Sequence, residues 1–414
     1  MRLKLNSAFR KATAALLVLL LGAFIAVSSG RTMAAWAAAQ SGDWLRASKL
    51  EPGNAAWQCN VGAYQTIITN DPRAAIPYLE SGVNLNPHNA VCWTALGDAY
   101  AHAGDPVNER RTLEAALRVE PNDAHIALNT ATIYVNSNEV ERALPLYRLV
   151  IQKRPDWIGQ ILPNIWFHDP NPEELLARAI PPVPGPRLAL LKLLADHGQW
   201  TSADVVWRRI LESKQPFQSK DALFYVDALL ANHDVTAAAT TWQELASRDK
   251  QLSERLSKGN LIVNPGFESA ILNGGFDWIY QRVDGVDVSV DTGEFHSGNR
   301  SLMLNFDTEG LEVTGLKQFV PVEAGSRYSF SAWVRADSVD SANGPRFAFL
   351  DPQTHQAVFS TDDAIGSFPW RPINGEFTTP TGVNLLELSV VRNPASSRIR
   401  GKVWIDDLEL VRNP

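Results

Sequence analysis

Two carboxylates near the C-terminus, Asp406 and Asp407, lie inside a run that otherwise reads as a strand, Val403-Trp404-Ile405-Asp406-Asp407-Leu408-Glu409-Leu410. Strict alternation places Trp404, Asp406, Leu408 and Leu410 on one face. A carboxylate on such a face is costly to bury alone, so either a cation or a set of loop amides must meet it. Asp362-Asp363 is a second acidic pair. Neighbouring strand residues point to opposite faces, so neither pair sets a general acid against a facing nucleophile. The chain has no G-x-S-x-G, no H-E-x-x-H, no phosphate loop and no C-x-x-C. His88, His102, His125 and His233 are scattered at no metal-ligand spacing. The pattern argues against an enzyme and leaves recognition. Trp278 and Tyr280, after the turn Asn273-Gly274-Gly275, could lie against the C–H face of a sugar, with Arg282, Arg335 and Arg346 donating to its hydroxyls. For each of these residues the plainer alternative is core or solvated surface.

The elements that must position these residues begin at Leu261. Tyr328, Phe330, Ala332 and Val334 alternate with Ser329, Ser331 and Arg335, and Leu386, Leu388 and Val390 repeat the pattern later. Short strands between Gly, Asn, Asp and Pro turns predict an antiparallel sandwich or jelly roll over 258–414. This segment opens with Asn264-Pro265-Gly266-Phe267-Glu268 and closes on the Trp404-Ile405-Asp406-Asp407 strand. Those two ends resemble the first and last strands of galactose-binding-like, jelly-roll carbohydrate-binding modules of secreted bacterial proteins. The resemblance implies a structural Ca²⁺ held by Glu268, Asp406 and the loop His296-Ser297-Gly298-Asn299-Arg300, with Ser297 in the ligand set; oxygen-rich ligation suits that ion. The alternative is that loop amides hydrogen-bond Asp406. The resemblance also implies that Trp333 and Trp370 are core, which leaves Trp278, Tyr280, Arg282 and Arg346 as the glycan candidates.

Upstream the chain repeats. Pro87, Pro121 and Pro155 are spaced by 34 residues, the tetratricopeptide period. The copy from Ala90 to Asp123 carries Trp93, Leu96, Gly97, Tyr100, Ala116 and Pro121 where that pattern expects them. Small residues (Ala63, Gly97, Ala131) let the first helix of each pair approach the second, and Pro ends the second. Glu109 departs from the pattern by replacing a small residue. The repeats occupy 36–157, and five or so copies would form a solenoid with a concave groove. Asn60, Thr94 and Asn129 are the expected polar contacts to a partner in that groove. The proline-rich stretch 158–187 reads as a connector with one short helix, started by Asn171 and Pro172. Ala203 and Trp207 recur as Ala238 and Trp242, so 188–257 reads as degenerate hairpins of the same kind.

Residues 1–35 read as a signal anchor. Arg2, Lys4, Arg10 and Lys11 precede the uncharged Ala12–Gly30, a run of 19 residues, close to the roughly 20 that span a bilayer. The basic flank places the remainder outside the cytoplasm. Cleavage near Ala35-Trp36-Ala37 or Val27-Ser28-Ser29 is the alternative, and would give a secreted protein. The net charge of −7 argues against nucleic acid. Cys59 and Cys92, on equivalent helices with axes roughly 8–10 Å apart, are expected to be free buried thiols. The expected architecture is therefore multidomain, α then β: an N-terminal membrane helix, a tetratricopeptide-like α-solenoid and a C-terminal antiparallel β-sandwich. The function expected is that of a non-catalytic envelope adaptor. It would bind envelope proteins through the repeat groove and a polysaccharide through the sandwich, in surface polysaccharide assembly or export. A glycosidase site in the β-domain and a purely protein-binding scaffold are the rivals.

Overall fold

The computed structural model describes residues 8–395 and 397–414. The chain divides into two compact units, Met1–Leu193 with Asp204–Ser213, and Leu194–Ala203 with Lys214–Pro414.

The first unit starts with α1 (Ala8–Gln40) and α2 (Trp44–Leu50). The repeats follow as α3 (Ala55–Ile67), α4 (Pro72–Leu85), α5 (Ala90–Ala103), α6 (Pro106–Val119), α7 (Ala124–Asn136) and α8 (Val140–Lys153). The same local signal starts most of these helices. Asn54, Asp71, Asn89, Asp105 and Asp123 accept the orphan amides of the first turn, and Pro72 and Pro106 occupy positions that need no donor. Gly97 does what its spacing predicts, whereas in α3 the close approach falls to Gly62 and not to the expected Ala63, which is half-buried. A Cβ on Gly62 would lie 2.3 Å from Leu79 Cγ, and one on Gly97 would lie 2.4 Å from Leu113 Cδ2. Leu79, Leu113 and Tyr147, at the 34-residue interval, are all buried between the helices of their pairs.

Cys59 and Cys92 are not free thiols but a disulfide joining α3 to α5. Helix axes 10 Å apart leave only about 5 Å between Cα atoms that face each other, because each Cα stands about 2.3 Å off its axis. The observed Cα–Cα distance is 5.5 Å. Gly82 of α4 makes room for the sulfurs: a Cβ there would lie 2.4 Å from Cys59 Sγ and 2.9 Å from Cys92 Sγ.

The stretch 158–187 is more helical than its prolines suggest. It holds α9 (Ile158–His168), with Pro163 inside, as well as α10 (Pro172–Arg178), whose first amides are accepted by Asn171. Pro163 gives up the bond to the carbonyl of Gly159 and crowds it, but this falls near the start of the helix, which continues to His168. Then come α11 (Pro184–Asp196), α12 (Trp200–Glu212), α13 (Leu223–Ala231), α14 (Val235–Ala246) and α15 (Lys250–Ser253).

The sandwich is built of β1 (Ile279–Tyr280), β2 (Val286–Asp291), β3 (Ser301–Glu309), β4 (Val313–Pro321), β5 (Arg327–Asp340), β6 (Arg346–Leu350), β7 (Ala357–Ser360), β8 (Gly366–Thr378), β9 (Leu385–Val391) and β10 (Arg398–Arg412). One sheet has the order β1-β4-β9-β6-β7 and the other β2-β3-β10-β5-β8; all pairings are antiparallel. The core between them takes Tyr328, Phe330, Ala332 and Val334 from β5 and Leu386, Leu388 and Val390 from β9, as alternation requires.

β10 does not keep the phase read from its sequence. Its register against β5 runs from Asp406↔Trp333 to Glu409↔Ser331, three steps against two. That is a bulge, with Asp407 at φ 47°. Before it Val403 and Ile405 enter the core; after it Leu408 and Leu410 do. Asp406 therefore shares a face with Trp404 but not with Leu408 or Leu410.

The hairpin α13–α14 belongs to the same compact unit as the sandwich. Asp227 of α13 accepts the Gly275 amide at 2.6 Å, and Trp242 of α14 meets Phe276 edge-on at 6.0 Å.

Candidate functional site

The opening motif folds onto itself. Asn264, at φ 51°, clasps both the amide and the carbonyl of Ser269 with its side chain. Its carbonyl accepts the indole N–H of Trp278. Trp278 is fully buried and packs its ring 5.1 Å from Phe267. The expectation that Trp278 grips a ligand is thus corrected: both its ring and its polar atom are used inside the core. Tyr280 follows it. Its partner across β4 is the core residue Leu316, and the half-buried ring packs against the core instead of standing on an open face. The Gly274-Gly275 turn before them is no free loop. A Cβ on Gly275 would lie 2.5 Å from Trp242 Cζ3.

Arg282 is exposed and lines a shallow groove of about 280 Å³ with Asp284, Asp287, Asn305 and Asp307. Arg346 stands on β6, where its Nε lies 2.7 Å from Asp363 Oδ1 and its Nη2 donates to the Asn393 carbonyl. The two arginines are therefore set in different surroundings, one among carboxylates and one already paired.

The outward, partly covered face of the β1-β4-β9-β6-β7 sheet carries residues that the sequence reading missed. Lys317 and Phe319 on β4 lie opposite Ser389 and Glu387 on β9. Lys317 Nζ reaches Glu387 Oε2 at 3.1 Å and sits 5.0 Å from the Phe319 ring centre, and Ser389 Oγ donates to Glu387 Oε1. A half-exposed ring with a cation over it and a carboxylate beside it, the latter fixed by the buried Ser389, carries a donor and an acceptor that suit sugar hydroxyls. The signal was available: Leu316, Gln318 and Val320 alternate inward, leaving Lys317 and Phe319 outward.

The outer face of the other sheet holds the remaining tryptophans. Trp333 is not core. It points outward, half-buried under the His296 ring, which stacks on it at 3.7 Å, with Trp370 5.9 Å from that imidazole. Trp404 is covered by the Arg335 guanidinium and donates its indole N–H to Asp291.

The loop 296–300 lies over Asp406 and Glu268. Asp406 Oδ2 accepts the amides of His296 and Ser297 at 2.8 and 3.1 Å, and Oδ1 accepts that of Asp407. Glu268 Oε1 accepts the amides of Asn299 and Arg300. Asp407 takes the Ser297 hydroxyl and the His296 ring. Burial raises the Asp406 carboxyl, the two loop amides oppose that, and the Asp407 charge adds to it. Glu268, Ser297 and Asp406 are thus brought to one loop, but the atoms facing the carboxylates are N–H donors. A cation needs oxygen lone pairs there. Among the described residues no group of three or more His, Cys, Asp or Glu side chains is placed to hold a metal. As arranged, these residues do not fit Ca²⁺.

In the repeats, Thr94 is buried and its hydroxyl donates to the Ala90 carbonyl, so it is no partner contact. Asn60 is half-buried and Asn129 exposed; Asn129 lies one place past Leu128, the true equivalent of Thr94. Asn60, Tyr64 and Ile67 form one stripe of α3, with Tyr64 46% and Ile67 70% exposed.

Residues 259–397 match the family model of a carbohydrate binding domain, and residues 110–156 match that of a tetratricopeptide repeat. The chain carries both kinds of domain. Similar solved structures include a CBM4 structure (13% identity, 37% of this chain and 99% of that one, TM-score 0.29). The CBM22-1 xylan-binding domain from Paenibacillus barcinonensis Xyn10C is another (16% identity, 36% and 90%, TM-score 0.25). A curated relative is the Superkiller complex protein 3 of Homo sapiens, 21% identical over 110 residues; the chain covers 7% of its length and the match 27% of this chain.

Proposed function

We propose that this chain is a non-catalytic adaptor of the cell envelope, tethered to a membrane, whose repeats hold a protein and whose sandwich holds a glycan. The observation that carries this reading is the presence of a repeat domain and a carbohydrate-binding domain behind one apolar helix in a single chain. Surface polysaccharide assembly or export is the process that needs such a bridge between a machine and its polymer. The glycan lies on the Lys317–Phe319–Glu387 face, with Arg346 at its margin. Apolar groups exposed on α3 suit a protein segment.

An affinity in the millimolar to micromolar range, about 4–8 kcal/mol, fits a shallow face that exchanges water for sugar hydroxyls. A glycan array with the full chain, followed by affinity electrophoresis, tests the reading. Phe319→Ala should cut retardation on the retained glycan without lowering the melting temperature. Binding to no glycan, or retardation unchanged in Phe319→Ala, would contradict it. Hydrolysis products in the same gels would instead support an enzyme.

A further inference from the structure

α1 runs without interruption from Ala8 to Gln40, through both the apolar run and the small-residue stretch where a signal would be cut. Its two halves have different surroundings. Leu16 to Val27 is exposed throughout, and the most apolar window is 0% buried. Past Arg31 one side of the same helix becomes core. Ala35 is fully buried, and Ala38 and Ala39 pack with Ala47 of α2 against Trp44 and Trp57. Arg31 Nη2 donates to the Leu50 carbonyl at 2.9 Å, and Thr32 hydrogen-bonds Glu51. The last turns of α1 are thus the outer helix of the repeat stack.

We infer that α1 is retained as a rigid stalk, spanning the bilayer over 12–30 and seating the first helical hairpin in the lipid headgroup layer through Met33 and Trp36. This rests on the membrane tether proposed above and decides between the two fates that the sequence leaves open. Nicking needs backbone that can leave its hydrogen bonds, and the burial of the affected segment, not its composition, sets whether it can. Here Ala35, Ala38 and Ala39 are helical and packed, while Ala37 and Val27-Ser28-Ser29 are exposed but lie within the same unbroken helix. A chain cut after Ala35 or Ala37 would also lose the helix that α2 packs on.

The seating follows from the helical rise. Nineteen residues at 1.5 Å cover about 28 Å, near the roughly 30 Å hydrocarbon thickness. Met33 and Trp36 then fall about 5 and 9 Å beyond Gly30. Helical side chains lean toward the N-terminus, so the Trp36 indole leans back toward the bilayer. Both side chains are left open by the repeat stack, at 73% and 59% exposure. Lipid is the occupant that continuity with the span selects, and interfacial Trp is the usual anchor at that depth.

The test is production of the full chain in bacterial membranes. Mass spectrometry after carbonate washing is followed by reconstitution into nanodiscs, with and without bromine on the acyl chain close to the headgroup. Expected are an unshortened chain of 45.6 kDa that resists carbonate, and Trp fluorescence quenched by the shallow bromine, with most of that quenching lost in Trp36→Phe. A carbonate-resistant or secreted species cut near 27–29 or 35–37 overturns the stalk while leaving glycan and protein binding untouched. Quenching that is absent or equal in Trp36→Phe overturns the seating. Release of the intact chain by carbonate overturns the membrane tether itself.

Discussion

Asp277 is fully buried beside Arg255, which lies 2.8 Å away and is itself 9% exposed. Burial pushes its carboxyl up to about 6, against the pull of the Trp278 amide, the Arg255 guanidinium and the Leu272 amide. A raised carboxyl pKa contributes stability that is complete below the ordinary value and is lost as pH rises through the folded one. The melting temperature should therefore fall between about pH 4 and pH 7. Asp277→Asn should reduce that slope, the rest coming from Asp98, Glu109, Asp227 and Asp406, which burial also raises. A scan whose slope is identical in the variant would refute the assignment. Asp406 makes a second case at this scale. Its need for a partner was legible in the sequence, because a carboxylate between Ile405 and the following apolar residues must be satisfied. What satisfies it was not, because backbone amides leave no mark in a sequence. Asp406→Ala strands three amides and should cost about 2–4 kcal/mol, whereas adding Ca²⁺ or chelator should leave the melting curve of the wild-type chain unmoved. A shift upward with Ca²⁺ that disappears in Asp406→Ala would show that the loop rearranges to bind the ion.

The disulfide shows what the element scale adds. The 34-residue period placed Cys59 and Cys92 on neighbouring equivalent helices, but their distance depends on which way each residue faces. Gly82 between them was the signal that could have settled it, since a small residue is required where two sulfurs meet a third helix. Closing a loop of 33 residues should contribute about 3–4 kcal/mol by restricting the unfolded chain. Reductant, or the pair Cys59→Ala and Cys92→Ala, should lower the denaturation midpoint of the helical signal accordingly. An unchanged midpoint would mean that α3 and α5 are held by packing alone. The β10 bulge was hidden for another reason. Either phase of Val403–Leu410 puts apolar residues inward, so alternation cannot detect the extra residue, and only the pairing with β5 fixes it. By contrast the alternation of β5 and β9 and the Asn171 cap of α10 were read directly, because each depends on neighbours in sequence.

On the scale of the whole molecule, the sequence divides by composition at Lys258-Gly259-Asn260, where helical periodicity ends and strands begin. The compact units divide elsewhere. Composition reports local structure, whereas a unit is defined by which surfaces bury one another, and the Gly274-Gly275 turn is buried by a helical hairpin more than 30 residues upstream. That turn could be taken for a flexible lead into a ligand site only because its cover lies across the compositional boundary. Trp242 is the test of this coupling. It is 3% exposed, touches Gly275 closely enough that a Cβ would collide with it, and meets Phe276 edge-on. Trp242→Ala should cost about 3–5 kcal/mol as a large-to-small core change. If the hairpin and the sandwich are one cooperative body, the cost must appear in the β-domain and not only in the helices. Amide exchange of α13–α14 and of the sandwich strands β5 and β9 should then lose protection together in denaturant. Loss of protection in α13–α14 with that of β5 and β9 left in place would separate the two and restore the boundary at 258.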